Sequence, residues 1–133
     1  MIEKTLIILK PDCLEKKLAG VVLNRFQEAN LDIIDSKMMV ASDEILASHY
    51  SHIADKPFYP NLKAFMQRRS VMVLILEGEN AVATVRELLG PTDSTKAPKG
   101  TIRGDFGLNT TENIVHASDC VENAQIEIER FFA

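Results

Sequence analysis

Two rhythms of apolar positions alternate along the chain. Thr5-Leu6-Ile7-Ile8-Leu9 is an unbroken β-branched and apolar run stopped by Lys10-Pro11-Asp12, which predicts a central strand buried on both faces. From Leu18 to Ala29 the period lengthens: Leu18, Val22, Phe26 and Ala29 recur at helical spacing, with Asn24, Gln27 and Glu28 opposite. Leu31 to Val40, rich in Ile, Val and Met, predicts a second strand. Ser42 offers an N-cap oxygen, and Asp43 and Glu44 first-turn carboxylates, to a helix carrying Ile45, Leu46, His49 and Ile53. Pro57 and Pro60 interrupt the pattern, a short helix covers Asn61 to Gln67, and Val71 to Leu76 reads as a third buried strand. Asn80 is placed to cap a helix through Leu89, with Val82, Val85 and Leu89 inward and Gly90 at a left-handed C-terminal position.

Pro91 to Thr111 shows little periodicity, and connections of that length usually carry function. Ile114-Val115 is short enough for an edge strand. Asp119 to Phe132 predicts a final helix with Val121, Ala124, Ile128 and Phe131 inward, and Asp119 with Glu122 three residues on resembles a capping box. This order indicates helices packed on a mostly antiparallel sheet. At 133 residues, 46% apolar and 26% charged, the chain suits one domain, without repeats or linkers. A net charge of −4 with dispersed Lys and Arg argues against general nucleic-acid binding. The longest apolar run, Val71 to Leu76, is far below the ~18 residues of a membrane span. No secretory signal pattern opens the chain, so a cytoplasmic location is expected. Cys13 and Cys120 lie far apart without metal-ligand spacing and read as free thiols.

The chemistry-bearing candidates are few. His116 follows Ile114-Val115 and precedes Ala117-Ser118-Asp119, which predicts a strand end facing the N-terminus of the last helix, an anion-friendly place. A neutral imidazole there is a competent nucleophile, and a carboxylate such as Glu127 can fix its tautomer. The spacing alone also fits a histidine hydrogen-bonded in a helix-capping turn. Thr101-Ile102-Arg103-Gly104 sets an arginine among small residues, suited to a phosphate or to a plain surface turn. Lys10 stands at the carboxyl end of the first strand, where ligands of open α/β sheets commonly bind, and the same pattern equally fits a lysine that simply ends the strand. Lys56-Pro57-Phe58-Tyr59-Pro60 holds two aromatics that serve either a stacking surface or a packed corner. Asp105-Phe106-Gly107 matches a protein-kinase tripeptide by chance, since the companion motifs are absent, and the P-loop pattern does not occur. His49 and His52, three apart, read as surface or packing residues without a third metal ligand.

Taken together, Lys10-Pro11-Asp12, His49-Tyr50, Lys56-Pro57-Phe58, Gly78-Glu79-Asn80-Ala81-Val82, Gly100 to Phe106 and Asn113 to Asp119 resemble the nucleoside diphosphate kinase family, in order and spacing, over essentially the whole chain. The resemblance implies an α+β, ferredoxin-like βαββαβ sandwich spanning residues 1–133 as a single domain. It implies ping-pong transfer of a γ-phosphoryl group from a nucleoside triphosphate to His116, on the pros nitrogen, and from there to a nucleoside diphosphate. Lys10, Arg86 and Arg103 match the family's cations, Thr92 a phosphate donor, Tyr50 the tyrosine beside the nucleophile, and Glu127 and Ser118 the groups that orient the ring. Asn113 and Lys10 match the sugar-binding pair, Phe58 the stacking aromatic and Leu62 the residue below the base. Mg²⁺ is implied, held mainly by nucleotide phosphates with no protein metal ligand. The implied assembly is a tetramer or hexamer built from dimers, with no membrane or specific nucleic-acid partner.

The chain departs from the family pattern at several positions. Ala117 and Cys120 replace Gly and Ser around Ser118-Asp119, Thr110-Thr111-Glu112 replaces a common V-G-R, and Thr92-Asp93-Ser94 replaces T-N-P. Thr110 covers the base less apolarly, and Glu112 brings negative charge near the phosphate path. The chain ends at Ala133 without the extension of longer members, as in bacterial-type members, which leaves the oligomer type open. The alternative to an enzyme is a catalytically silent nucleotide-binding module on the same fold. Every position of the catalytic set is filled, which favours the enzyme.

Overall fold

The structure, a computed structural model, describes residues 1–132. Among them four strands form one sheet in the order β2-β3-β1-β4, every neighbour antiparallel: β1 (Ile2–Leu9), β2 (Asp32–Met39), β3 (Val71–Glu79) and β4 (Val115–Ala117). Helices α1 (Pro11–Glu15) and α2 (Ala19–Glu28) follow β1, α3 (Asp43–His49) and α4 (Tyr59–Gln67) follow β2, and α5 (Ala81–Leu89) follows β3. A short 3₁₀ turn (Ser94–Lys96) and α6 (Ile102–Phe106) precede β4, and α7 (Val121–Phe132) closes the chain.

The unbroken apolar run of β1 is explained by burial on both faces. Ile7 and Leu9 join Val22, Phe26, Leu74, Leu76, Val85 and Leu89 beneath α2 and α5. Leu6 and Ile8 join Leu46, Leu62, Phe65, Met66, Val73 and Phe131 beneath α3, α4 and α7. Side chains opposite each other on neighbouring strands share a face. His116 is paired with Ile8, so the histidine is delivered to the α3–α4–α7 face while its neighbours Val115 and Ala117 are buried on the other.

Several expectations hold in detail. Ser42 Oγ accepts from the Ile45 N–H at 3.1 Å, and Ala124 and Phe131 of α7 are buried. Others are corrected. Val121 is 46% exposed rather than inward. The capping box does not form: Asp119 accepts from the Asn123 amide side chain, and the Asn123 N–H approaches Cys120 Sγ at 3.4 Å. Asn80 takes a left-handed backbone (φ 49°) without capping through its side chain, and Glu3 instead accepts from the Val82 N–H at 3.1 Å. Gly90 has φ 82° but an extended ψ of −177°. Ile53 lies beyond the end of α3, and α1 was hidden because Pro11 reads as a strand stop although it also suits the first turn of a helix.

The connection from Pro91 to Thr111 is ordered around α6 rather than irregular throughout. Thr101 Oγ1 caps α6 by accepting from the Gly104 N–H at 3.0 Å. Gly104 lets that helix press on Pro98, whose carbonyl oxygen lies 2.0 Å from where a Cβ would stand. Lys10 through Cys13 and Asn113 through His116 are thereby brought together from opposite ends of the sequence.

Candidate active site

Lys10 ends β1 and is 7% exposed. Its Nζ donates to Asn113 Oδ1 at 2.8 Å and lies 3.4 Å from the Thr111 carbonyl. Burial, aided by the Arg103 charge and opposed by Asp12, brings its pKa down to about 8. Asn113 is itself held, its amide nitrogen donating to the carbonyls of Thr92 and Thr110 at 2.9 and 3.0 Å.

Between Asn113 and β4 the backbone turns at Ile114, which has φ 78°. The Val115 N–H reaches back to the Asn113 carbonyl at 2.9 Å, closing a three-residue γ-turn. Positive φ at a β-branched residue costs on the order of 1–3 kcal/mol and persists only where its surroundings enforce it. Here Asp12 Oδ2 accepts from the Ile114 N–H at 3.0 Å, and the Lys10 N–H donates to the Ile114 carbonyl at 2.9 Å. Burial raises the Asp12 pKa, partly offset by the Ile114 N–H and by Lys10.

The turn sets His116 in the middle of the three-residue β4, one residue inside the strand end that the sequence pattern predicts. Its Nε2 lies 3.0 Å from Glu127 Oε1 on α7. Burial pushes the Glu127 pKa up, but the His116 contact and the Ser118 hydroxyl bring it below the usual range. An ionised carboxylate only accepts, so Nε2 carries the proton and the Nδ1 lone pair is free. Ser118, fully buried, donates from Oγ to the same Glu127 oxygen at 2.7 Å and accepts from the Leu6 N–H at 3.1 Å. The ring-orienting carboxylate is thus tied to the central strand.

A cavity of about 710 Å³ opens in front of His116. Lys10, Tyr50, Phe58, Leu62, Arg86, Thr92, Arg103, Asn113, His116 and Glu127 all line it, so nearly every predicted site residue converges there. Ser118 stands behind the wall. Arg103 is 4% exposed and donates to the carbonyls of Gly90 and Val115 at 3.0 and 2.8 Å, while its Nε is buried without a protein acceptor among the described residues. Burial and neighbouring Arg86 lower its pKa to about 10. Burial keeps the Tyr50 hydroxyl protonated. Phe58 is 54% exposed, presenting an open ring at the cavity mouth, whereas Leu62 is buried. Glu112 is drawn toward Arg68, 3.8 Å away, which moderates its charge.

His49 and Arg130 also line the cavity, although the sequence assigns neither of them a role there. His49 takes the packing alternative, 8% exposed, with its ring centroid 4.5 Å from that of His116. Arg130 on α7 reaches His49. No periodicity links positions so far apart in the chain. Ligand atoms of His49, His116 and Glu127 lie within 4.8 Å of one another. Glu127 is committed to His116 and Ser118, and an arginine faces the group, a poor setting for a cation.

An imidazole with a free lone pair, sharing its cavity with the buried cations Lys10 and Arg103 and the exposed Arg86 on an antiparallel α+β sandwich, suits phosphotransferase chemistry. A model of the nucleoside diphosphate kinase family matches residues 3–133. A nucleoside diphosphate kinase of Acetivibrio thermocellus is 43% identical over 130 residues, covering 98% of this chain and 96% of that one. The crystal structure of the Aquifex aeolicus nucleoside diphosphate kinase superposes with a TM-score of 0.93 at 40% identity, covering 100% of this chain and 96% of the other. A halophilic nucleoside diphosphate kinase from Halobacterium salinarum, solved in complex with CDP, gives 0.94 at 34% identity, covering 99% and 88%. The chain belongs to the nucleoside diphosphate kinase family, with the ferredoxin-like fold and the phosphotransferase activity of that family. Its substrates are nucleotides, and the family works with a divalent cation. No helix among the described residues is long and apolar enough to cross a membrane.

Proposed function

We propose that the γ-phosphoryl group passes through Nδ1 of His116 in two half-reactions. In the first, the Nδ1 lone pair attacks the γ-phosphorus in line. The Nδ1–P bond forms as the bond to the bridging β–γ oxygen breaks, and the nucleoside diphosphate leaves. In the second, a terminal oxygen of another diphosphate attacks the phosphohistidine and restores the imidazole. The transition state is loose, so positioning and charge neutralisation supply most of the rate. Lys10, Arg86 and Arg103 face the migrating charge, Thr92 offers a hydroxyl, and Tyr50 stands beside the nucleophile. Glu127, backed by Ser118, stabilises the Nε2 proton as positive charge grows on the ring. The observation that carries this reading is the 3.0 Å contact of Glu127 with Nε2, which frees the other nitrogen.

Asn113 and Lys10 hold the sugar, and the base stacks on Phe58 above Leu62. CDP, the ligand in the Halobacterium salinarum structure, is one nucleotide such a pocket accepts. Stacking is worth roughly 1–3 kcal/mol per base and serves every base, so base tolerance is broad. Mg²⁺ supplies charge neutralisation on the phosphates. The cavity's carboxylates, Asp119 and Glu127, are engaged with Asn123 and with His116 and Ser118, which supports a cation held mainly by the nucleotide. One domain spanning the chain, a cytoplasmic location consistent with two free thiols, and a tetramer or hexamer built from dimers complete the proposal. Exposed Ile34, Met38 and Val40 on and beside the β2 edge support self-association.

The deciding experiment incubates the protein with γ-labelled ATP and Mg²⁺. An acid-labile, alkali-stable label should appear, leave on addition of a diphosphate, and be lost in His116→Ala. Equal labelling of the alanine variant would overturn the nucleophile assignment.

A further inference from the structure

Three cations of the cavity, Lys10, Arg86 and Arg103, occupy positions that the family's motifs mark; Arg130 does not. It stands on the last turn of α7, half-buried, with one guanidinium nitrogen 3.0 Å from Nδ1 of His49. A guanidinium has donors and no acceptor, so this bond exists in one form: Nδ1 of His49 accepts, and the neutral ring carries its proton on Nε2. Burial and the nearby His116 push the His49 pKa down to about 3, with Glu127 opposing and Arg130 and Lys10 contributing. The ring is enclosed by His116 edge to face, at 4.5 Å and 78°, by Tyr50 at 4.8 Å and by Phe131 at 5.3 Å.

Glu127 Oε2 lies 4.0 Å from the same Nδ1 of His49. Were His49 to hold its proton on Nδ1, this carboxylate would be its natural acceptor. Glu127 would then be shared between two histidines, and its bond to His116 would slacken. Arg130 excludes that competition by occupying the Nδ1 lone pair. The His116 ring torsion is of the broad sp³–sp² kind. One hydrogen bond at Nε2 restrains it incompletely, and the His49 ring packed nearly perpendicular against it at 4.5 Å supplies the second restraint.

We propose that Arg130 is a positioning residue for phosphoryl transfer in this chain: it locks His49 in the neutral Nε2–H tautomer, keeping Glu127 committed to His116 and holding the His116 ring in its attacking plane. The inference rests on His116 being the residue that is phosphorylated. Misplacement of a nucleophile by a fraction of an ångström costs about tenfold in rate, and because the Arg130 guanidinium is engaged with His49 the loss is expected in the transfer step rather than in nucleotide affinity.

The test compares wild type, Arg130→Met and Arg130→Lys in the full chain. Nitrogen NMR of histidine-labelled protein, with the His49 signals assigned by their loss in His49→Gln, reads the tautomer without nucleotide. Rapid-quench labelling with γ-labelled ATP and Mg²⁺ reads the transfer step. The wild type should show His49 as a single Nε2–H form. Arg130→Met should mix its tautomers and slow labelling of His116 about tenfold with KM unchanged, and Arg130→Lys, which restores a charged donor, should recover both. A wild-type His49 protonated on Nδ1 overturns the inference whether or not His116 is labelled. So does an Arg130→Met protein that labels at the wild-type rate, or one that slows with its His49 tautomer intact. Failure of wild type to label His116 would instead strike the nucleophile assignment, because the NMR reading stands apart from it.

Discussion

The two walls of the cavity are built differently. On the β4–α7 side the functional groups are held by partners within the protein: Glu127 by His116 and Ser118, Ser118 by the Leu6 N–H, and Arg103 by two carbonyls. On the base side Phe58 is more than half exposed, and Thr110 and Thr111 sit on an exposed loop. Phosphoryl transfer tolerates little displacement of the reacting atoms. A sandwiched base tolerates a good deal, and a loosely held face suits an enzyme that must accept many bases. Precision is therefore concentrated where bonds change.

The largest test of this contrast is His116→Ala, which should reduce turnover by on the order of 10³-fold or more while leaving nucleotide binding and the melting temperature close to wild type. Steady-state kinetics with calorimetry checks it; turnover within tenfold of wild type would break the assignment of the rigid wall. Next, Phe58→Ala should raise KM for all nucleotides alike by the equivalent of ~1–3 kcal/mol of stacking, with little change in thermal stability. A loss confined to one base would mean that edge contacts, not stacking, govern the open wall.

Asp12→Ala should cost ~1–3 kcal/mol of stability by stranding the buried Ile114 N–H, and should lower kcat with it; Asp12→Asn, which keeps an acceptor, should lose less. Denaturant titration beside kcat separates the two. The smallest effect is in pH. Lys10 sheds its proton near pH 8 in the native protein but at its ordinary 10.5 when unfolded. Above about pH 8 the free enzyme loses a cation, and KM for nucleotides should climb. Between those values the unfolded chain binds more protons, so folding stability should rise with pH from this group. A KM flat to pH 10 would show that Lys10 keeps its charge.

Much of this was legible in the sequence because local patterns and tertiary demands agree. The β1 and β3 runs are apolar throughout because both faces are buried, and α2 and α5 show their inward stripes plainly. Residue types and spacing alone single out His116, Glu127, Arg103, Lys10 and Phe58, mostly with a plain structural alternative beside them, and the rest of the set that converges on the cavity is legible only through the family resemblance. What stayed hidden depends on the chain folding back on itself. The γ-turn at Ile114 leaves no trace in a residue that otherwise reads as strand, since its cause is Asp12, at the far end of the sequence. His49 looked like one of an unremarkable pair on a short helix, and its place beside His116 follows from the packing of α3 on α7. The capping box at Asp119 failed because Asn123, one residue further along, competes for the carboxylate.

The length of β4 has a consequence for how the protein dies on heating. The nucleophile rides on a rung of three paired residues at the margin of the sheet, and such margins detach before the centre does. Peeling that rung away would scatter the imidazole, its carboxylate and the Arg103 anchor while the interior beneath α2 stayed intact. Where that rung opens ahead of the core, catalysis is lost while helix content is still close to native, and activity followed beside far-ultraviolet ellipticity along a thermal ramp reads the order of the two.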